Sequence, residues 1–307
     1  MSAHIDTTDY EEQPLRARWH SNRLAETTIY GVLLLLGIIS MLPIWHTLNA
    51  SLSSPEKVAQ AVLLLWPHDF TLDSYIFIFK GKALIRSFGV TVFITVVGTA
   101  LNLLVTSAAA YPLSRRDLPG RQFIMLFIMV TFVFSAGIVP GFMLVRSLGL
   151  INSLWAMIWP TLVNVFFLIL LRNFFENLPD AVIESARMDG SSEMRILFQI
   201  VIPMSLPAIA TMGLFYAVSH WNEFFRGIFY IYDPAKWPLQ VLLRSVVIQA
   251  NLNEIGFSNQ DMYGNAQVSQ LTIRAATVTA AIVPMALLYP FVQRFFVQGI
   301  VLGAEKG

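Results

Sequence analysis

The sequence predicts an all-α polytopic membrane protein with six transmembrane helices. Of its 307 residues 56% are hydrophobic and only 13% are charged, whereas a soluble domain carries roughly a quarter charged residues. Six intervals lack Asp, Glu, Lys and Arg over the length that a bilayer requires. Their apolar runs do not alternate as the strands of a membrane β-barrel do. Helices are therefore the structure that satisfies their backbone groups in lipid.

The uncharged intervals come in order along the chain at 27–55, 87–114, 122–145, 147–171, 196–222 and 275–293. A spanning helix needs about 20 residues, so each interval can cross once and none is long enough to cross twice. Residues 1–26 are polar, lack the apolar core of a signal peptide and are predicted to form a cytoplasmic tail. A transmembrane domain over 27–298 and a second cytoplasmic tail over 299–307 complete the predicted organisation.

Basic residues give the predicted orientation. With the N-terminus inside, eleven Lys and Arg fall on the cytoplasmic side and nine on the outer side, a small excess in the direction of the positive-inside rule. The clearest local signal is the tight turn Arg115-Arg116-Asp117-Leu118-Pro119-Gly120-Arg121 after the second interval. This turn favours the inside and predicts an inner-membrane protein with both termini cytoplasmic.

The two long loops, about 50–85 and 223–274, are predicted to carry short helices on the membrane surface. Prolines interrupt the apolar intervals at 43, 112, 140, 160, 203, 207 and 284. Such prolines are tolerated where neighbouring groups satisfy the freed carbonyls. They are compatible with kinks that serve packing and also with a substrate path lined by broken helices.

Several kinds of chemistry are missing from the sequence. No Gly-x-x-x-x-Gly-Lys-Ser/Thr run is present to cradle a nucleotide. The five scattered His and the absence of Cys argue against a metal site, and the net charge of +1 gives no reason to expect nucleic acid. No catalytic residue is predicted. Because no charged residue lies in the middle of an interval, ion-coupled transport is disfavoured, so energy for transport must come from elsewhere.

One stretch, 180–203, is charged although it lies between apolar intervals; it carries two Asp, two Glu and two Arg. It reads as two short helices joined at Asp189-Gly190, since Gly supplies the positive φ of a sharp turn. Asp180 is predicted to cap the first helix, and Ser191 or Ser192 the second. Met194, Leu197 and Phe198 at i, i+3 and i+4 predict one small apolar face on the second helix.

The spacing within this stretch resembles the EAA motif of ABC-importer permease subunits. The matching positions are Glu184-Ser185-Ala186, Gly190 after three intervening residues, Ile200 after nine more, and Ile202-Pro203. Ser185 and Ile202 depart from the family's Ala and Leu. Asn222 after His220-Trp221 and the ending 293–299 extend the resemblance to the carbohydrate-importer permeases. The stretches 171–175 and 237–240 look most like the subgroup for complex oligosaccharides such as aldouronates and alginate fragments.

The resemblance implies a type I importer fold in which the two short helices, lying between the fourth and fifth spanning helices, couple to a cytoplasmic ATPase. It implies a second permease subunit in a heterodimer, two ATPase copies that hold ATP and Mg²⁺, and an extracytoplasmic binding protein that delivers an oligosaccharide. This chain itself would bind no cofactor. The positions expected to take part in ATPase coupling are Glu184, Ser185, Ala186, Asp189, Gly190, Phe198, Ile200 and Pro203. Ala186 would keep the first helix slim enough for a groove, and Phe198 would be an anchor in it.

Other interpretations of the same residues remain open. Glu184 pairs equally well with Arg187 at i+3, a contact worth about 0.2–0.5 kcal/mol. Met194, Leu197 and Phe198 suit packing against the protein's own helix ends. At the functional level the alternatives are a permease for a simple sugar or polyol, an intramembrane hydrolase using a helix serine, and a passive channel.

A substrate path is predicted at the end of the fifth interval, where Tyr216, His220, Trp221 and Asn222 combine aromatic and polar groups. An aromatic belt at the membrane interface explains the same residues. If the sugar is a uronate, Arg226, Arg244 and Arg274 are sensible carboxylate partners. The same arginines also suit docking of a binding protein.

Overall fold

The computed structural model describes residues 23–134, 136–247 and 269–304, and within these ranges it is helical without β-strands. The helices are α1 (Arg23–Ser51), α2 (Pro55–Gln60), α3 (Asp73–Lys80), α4 (Ala83–Ser114), α5 (Arg121–Val133), α6 (Ile138–Ser147), α7 (Val165–Glu176), α8 (Asp180–Met188), α9 (Glu193–Ile196), α10 (Ile202–Met204), α11 (Leu206–Trp221), α12 (Phe225–Tyr230), α13 (Leu239–Val247) and α14 (Gln270–Ala304). Short 3₁₀ turns cover Leu154–Met157, Trp159–Thr161 and Pro234–Lys236. A π-helical segment, Leu197–Val201, joins α9 to α10.

Three helical stretches are continuous and apolar enough to cross a membrane: Glu26–Ser51, Ala83–Ser114 and Gln270–Leu287. Three further candidates are pairs of helices bent by more than 40°: α5 with α6, Leu154–Thr161 with α7, and Glu193–Met204 with α11. By length and composition, the described residues therefore hold up to six candidate spans if each bent pair counts as one. The intervals 122–145, 147–171 and 196–222, in which the sequence places prolines, correspond to the three bent pairs.

Proline and polar caps account for two of these bends. The 87° bend between Met204 and Leu206 lies between Pro203 and Pro207, each of which removes a backbone donor from the helix. The 50° bend before α7 follows Pro160, and Asn164 restarts the helix by accepting a 3.3 Å hydrogen bond from the Phe167 amide. Pro43 and Pro112 lie inside continuous helices, so proline alone does not decide where a span bends.

The chain divides into two compact units, one up to His46 and one from Thr47 onward. In the first unit, the side chains from Glu26 to Trp45 are exposed, Leu42 excepted. A helix that is apolar all round is typical of a membrane span. Of the tail predicted over 1–26, residues 1–22 lie outside the described residues and 23–26 belong to α1. Helix α14 continues to Ala304 through the start of the predicted tail at 299.

In the second unit, α4 contacts α7, α11 and α13 and forms the centre of the packing. Two apolar clusters lie along it. One joins the last turn of α4 to α7, α8 and α9 through residues that include Tyr111, Leu171, Phe175, Ile183 and Ile196. The other lies among α3, α11, α13 and α14 around Phe77, Trp221 and Leu242. Helix α4 therefore connects the charged stretch 180–203 to the opposite part of the unit.

Short helices are present in both long loops, as predicted, and their position on the membrane surface stays a prediction. Helices α2 and α3 occupy the loop 50–85, and α12 and α13 occupy the described part of the loop 223–274. The polar run from Asn251 lies outside the described residues up to 268.

Candidate functional site

The charged stretch folds as two helices, α8 and α9, joined at Asp189-Gly190, as the sequence predicts. We call 180–203 the hairpin. Gly190 has φ +78°, a conformation in which a Cβ is disfavoured. The Ser191 amide donates to the Ala186 carbonyl at 3.0 Å and the Gly190 amide to the Arg187 carbonyl at 3.0 Å. These are the two hydrogen bonds of a Schellman turn, so the angle between the helices is set by the backbone.

The predicted caps are half right. The Ser192 hydroxyl accepts a 3.4 Å hydrogen bond from the Arg195 amide and caps α9. Pro179, not Asp180, occupies the capping position of α8. Asp180 is the first residue of α8, and its carboxylate lies 3.4 Å from the Arg115 guanidinium. The capping prediction for Asp180 is therefore wrong, because a cap must precede the helix and Asp180 is already inside it.

The expected apolar face of the second helix is divided between surface and core. Leu197 is 2% exposed and packs in the cluster with Ile196. Met194 is 60% exposed and Phe198 is 45% exposed. The interpretation that all three pack on the chain's own helix ends therefore holds for Leu197 alone. Met194 and Phe198 remain available to a partner.

The motif residues on α8 also face two ways. Glu184, Ser185 and Asp189 are exposed, whereas Ala186 is buried and packs in the cluster with Tyr111. The small side chain of Ala186 thus serves close packing of the hairpin on this chain. The expectation that Ala186 narrows α8 for an external groove is corrected accordingly. At the end of the hairpin Ile200 is half-buried and Pro203 is exposed.

A chain of hydrogen bonds fixes α9 to α8 and to α4. The Glu193 carboxylate accepts from the Tyr111 hydroxyl at 2.6 Å and from the Arg187 Nε at 2.8 Å. Arg187 also lies 3.5 Å from Asp117 in the basic turn. Arg187 is thus paired with these two carboxylates, and the described residues show no ion pair between it and Glu184. The hydrogen bond to Glu193 raises the pKa of Arg187, so its charge is retained over the physiological range.

A second ionic centre surrounds Glu176 at the end of α7. Its carboxylate lies 2.6 Å from Arg172 and 2.9 Å from Arg121. Both arginines also donate through Nε to the Leu113 carbonyl, at 3.2 Å and 2.9 Å. The basic turn used to predict orientation is therefore bound to acidic residues that follow it by more than fifty positions. Pairs of this kind over such separations leave no local signal in the sequence.

A cleft of ≈ 380 Å³ separates the end of α4 and the basic turn from the hairpin. Its lining includes Tyr111, Arg115, Asp117, Arg187, Glu193 and Met194. Ion pairs described above engage part of its polar wall, but Nε and Nη2 of Arg115 have no hydrogen-bond partner among the described residues.

The four residues predicted for the substrate path do not share one surface. Tyr216 is buried, its hydroxyl 2.8 Å from the Thr106 hydroxyl and accepting from the Asn164 amide at 3.1 Å. Trp221 is buried and meets Phe88 edge to face with centroids 5.8 Å apart. Asn222 is exposed and accepts a 3.4 Å hydrogen bond from Gln240. Their contact with a substrate stays a prediction.

His220 belongs to a buried polar cluster that sequence reasoning missed. Its Nε2 lies 2.7 Å from Asn102 Oδ1. Asn102 Nδ2 donates to the carbonyls of Thr161 at 2.5 Å and Leu162 at 2.9 Å, so Oδ1 is the acceptor and His220 Nε2 carries the proton. The cluster joins α4, α11 and the bend before α7. A lone Asn in an apolar interval was the available signal.

Glu223 and Arg226 form a further buried pair just after α11. Arg226 also donates to the Met157 carbonyl at 3.0 Å and to the Thr161 hydroxyl. The i,i+3 spacing of opposite charges was the signal for this pair. Arg226 is therefore engaged inside the subunit, while Arg244 stacks over the Phe224 ring at 5.6 Å. The buried Arg274 Nε has no hydrogen-bond partner among the described residues.

Within the described part of the chain, no group of three His, Cys, Asp or Glu is placed to hold a metal ion. The chemistry of the site is accordingly that of ion pairs, hydrogen bonds and exposed apolar contacts.

Comparison with known proteins gives concordant results. The family described as binding-protein-dependent transport system inner membrane component matches residues 89–301. The polygalacturonan/rhamnogalacturonan transport system permease protein YtcP of Bacillus subtilis is 45% identical over 93% of this chain and 99% of that protein. The arabinooligosaccharides transport system permease protein AraQ of Halalkalibacterium halodurans is 30% identical over 89% and 93%. A solved structure of a bacterial ABC transporter involved in the import of the acidic polysaccharide alginate is similar with TM-score 0.84 and 31% identity, covering 90% of this chain and 98% of that chain.

Proposed function

The chain belongs to the binding-protein-dependent transport system inner membrane component family, and from this premise we propose that it imports acidic oligosaccharides by coupling to a separate ATPase. It is a membrane-embedded permease subunit of a carbohydrate ABC transporter and not an enzyme. The observation that carries the coupling proposal is the hairpin itself, a charged pair of helices with a backbone-fixed turn and exposed apolar side chains.

The hairpin is proposed to be the surface that the ATPase moves. Glu184, Met194 and Phe198 are exposed on it, while Ile183, Ala186 and Leu197 attach it to the rest of the chain. A partner that binds the exposed side can therefore displace the hairpin as a unit, because the contacts that hold the hairpin to the chain lie on its other side. We propose Phe198 and Met194 as the apolar anchors, because large exposed apolar groups at the centre of a polar rim dominate many interfaces.

The assembly that follows from this proposal has four kinds of component. A second permease subunit would complete the membrane path, and two ATPase copies would bind ATP and Mg²⁺ on the hairpin side. An extracytoplasmic binding protein would deliver the sugar. The hairpin, the basic turn and both termini would then be cytoplasmic, in the orientation that the positive-inside rule favours for Arg115, Arg116 and Arg121.

An acidic sugar is the substrate class we propose. The similar solved structure is that of a transporter involved in the import of the acidic polysaccharide alginate, and a galacturonan, named for the 45% identical relative, is by its chemistry a polymer of a uronic acid. Arg274 offers a guanidinium nitrogen that no described residue satisfies, and a carboxylate is its natural complement. The arabinooligosaccharide relative makes a neutral oligosaccharide the second candidate.

The coupling proposal is tested with Gly190→Trp in the assembled complex. We expect normal membrane insertion and loss of sugar-stimulated ATP hydrolysis, because a side chain at φ +78° strains the turn and lies on the ATPase side. Gly149→Trp is the matched control, since Gly149 also has positive φ (+68°) and open space around it but lies outside the hairpin. Equal coupling in both variants would refute the role of the hairpin.

The substrate proposal is tested by uptake into vesicles that contain the whole transporter. We expect galacturonate oligomers to stimulate ATP hydrolysis and arabinose oligomers of equal length to do so weakly. Arg274→Gln should reduce the response to the acidic sugar alone. Preference for the neutral oligomer would favour the second candidate, and solute flux without nucleotide would indicate a passive channel.

A further inference from the structure

The chain connection from the hairpin to α11 is mechanically indirect. It runs through the π-helical segment Leu197–Val201 and then through the 87° bend before Leu206. A π turn and a proline-flanked bend are points where a helix yields. A displacement of the hairpin would therefore be absorbed in part before it reached α11 along the backbone.

Side chains provide a second connection that avoids this bend. Glu193 uses one carboxylate oxygen for Arg187 on α8 and the other for Tyr111 on α4. Tyr111 is 5% exposed, whereas the Glu193 side chain is 55% exposed, so this hydrogen bond is strengthened by the charge of its acceptor and is shielded from water on the Tyr111 side only. One carboxylate thus binds both hairpin helices to the last turn of α4.

A neighbouring pair strengthens the same joint. The Arg115 guanidinium lies 5.2 Å from the centroid of the Tyr111 ring and 3.4 Å from the Asp180 carboxylate at the start of α8. Ile183 and Ile196 pack in the same cluster as Tyr111. The contact therefore has polar and apolar components, and both α8 and α9 take part.

Helix α4 is suited to carry a displacement over a long distance. It is continuous from Ala83 to Ser114, which at 1.5 Å per residue is about 48 Å. On the N-terminal side of Tyr111, two hydrogen bonds join α4 to α11. Thr106 bonds to Tyr216 at 2.8 Å, and Asn102 bonds to His220 at 2.7 Å. Moving α4 must therefore act on both bonds to α11.

We propose that Glu193 is a positioning residue that fixes the hairpin to α4 through Tyr111, so that ATPase-driven motion reaches α11 by way of α4. This rests on the proposed coupling role of the hairpin. Glu193 contacts neither substrate nor nucleotide in this arrangement. Its effect is to make the hairpin and the end of α4 one rigid body.

A double-mutant cycle tests the joint in the assembled transporter. Tyr111→Phe removes only the hydroxyl, and Glu193→Gln removes the charge. We expect each to lower the sugar transported per ATP hydrolysed by about three- to tenfold, the range for losing one hydrogen bond of ordinary net strength, and the double variant to fall no further. Tyr232→Phe, an exposed tyrosine outside this joint, should leave the ratio unchanged. Additive effects, or an unchanged ratio in both single variants, would overturn the proposal.

A distance measurement separates this inference from the coupling proposal. Because the chain has no cysteine, spin labels can be placed at exposed Met188 on the hairpin and exposed Leu104 on α4. We expect one narrow distance distribution, unchanged by nucleotide, that broadens in Glu193→Gln. If Gly190→Trp abolishes coupling while Glu193→Gln leaves the distribution narrow, the hairpin role stands and the joint is refuted. If Gly190→Trp has no effect but the distribution broadens, the joint stands and the coupling role fails.

Discussion

Gly98 on α4 lies directly against the imidazole of His220 on α11. A Cβ at residue 98 would lie 2.6 Å from His220 Nε2 and 2.8 Å from Cε1, closer than van der Waals contact allows. The same Nε2 is the atom that bonds to Asn102. The absence of a side chain at residue 98 is therefore what lets α4 and α11 approach and form this hydrogen bond.

Gly98→Ala should destabilise the subunit by about 1–3 kcal/mol, the usual cost of overpacking a buried contact. The added methyl group must displace His220 and break its bond to Asn102. Thermal unfolding of the purified complex measures the effect. Gly89→Ala on the same helix is the control, because nothing lies within 4 Å of its Cβ position; it should be neutral or slightly stabilising. Equal melting temperatures for both variants would show that the close contact between residue 98 on α4 and His220 on α11 does not contribute to stability.

Asn102→Leu should lower the free energy of unfolding by about 1–3 kcal/mol, because it leaves two carbonyls and His220 without their buried partner. Thr99→Val, one turn away, removes a buried hydroxyl for which the described residues supply no partner and should be neutral. Chemical denaturation in detergent, followed by fluorescence, compares the two. A loss in the Thr99 variant that matches the Asn102 variant would argue against the hydrogen-bond explanation.

Glu176→Gln should destabilise the end of α7 by about 1–3 kcal/mol, since Arg121 and Arg172 are each less than one-fifth exposed and would lose their charged acceptor. Asp117→Asn is the control. Its pair with Arg187 at 3.5 Å is largely exposed, and such pairs contribute about 0–1 kcal/mol. Melting temperatures at low and high salt distinguish them, because the exposed pair is screened and the sheltered one is not.

Although the two residues are adjacent, Leu197→Ala should lower the stability of the subunit, whereas Phe198→Ala should weaken its binding to the ATPase. Leu197 is buried, so its truncation should cost about 2–5 kcal/mol of stability. Phe198 is exposed, so its truncation should leave the melting temperature unchanged and weaken ATPase binding by about tenfold or more. Titration of the reconstituted permease with the ATPase measures the second effect. Normal ATPase affinity in Phe198→Ala would remove Phe198 from the proposed anchors.

The spacing of 180–203 was enough to predict two helices and their turn, because Gly190 and Ser192 act within their own segment. Periodicity also marked Leu197 and Phe198 as apolar, but it could not tell which of them the protein's own core covers. Asp180 was mistaken for a cap because Pro179 is an unusual residue at that position. Prolines at 203 and 207 marked an interruption, yet the size of the bend depends on packing against α4 and on the π turn, which no local pattern specifies.

The contacts that join α4 to the hairpin and to α11 could not be predicted from one sequence. Tyr111 and Glu193 are 82 positions apart, and Asn102 and His220 are 118 apart. Each is an ordinary residue in its own neighbourhood, and only tertiary packing makes the pair. The ion pairs that the arginines of the basic turn form with Glu176 and Asp180 could not be predicted for the same reason. The turn itself is nevertheless the clearest charge signal in the chain.

During synthesis, the arginines of the basic turn are made before the carboxylates with which they pair. Glu176 leaves the ribosome 55 residues after Arg121, and Asp180 leaves it 65 residues after Arg115. At about 5–20 residues per second, the arginines of the turn stay without these carboxylates for on the order of 3–13 s. In the proposed orientation, with the turn in the cytoplasm, their charge is available during that interval to hold α4 and α5 in place as they enter the bilayer. Once Glu176 and Asp180 have been synthesised, the same arginines form ion pairs with them and become part of the folded structure.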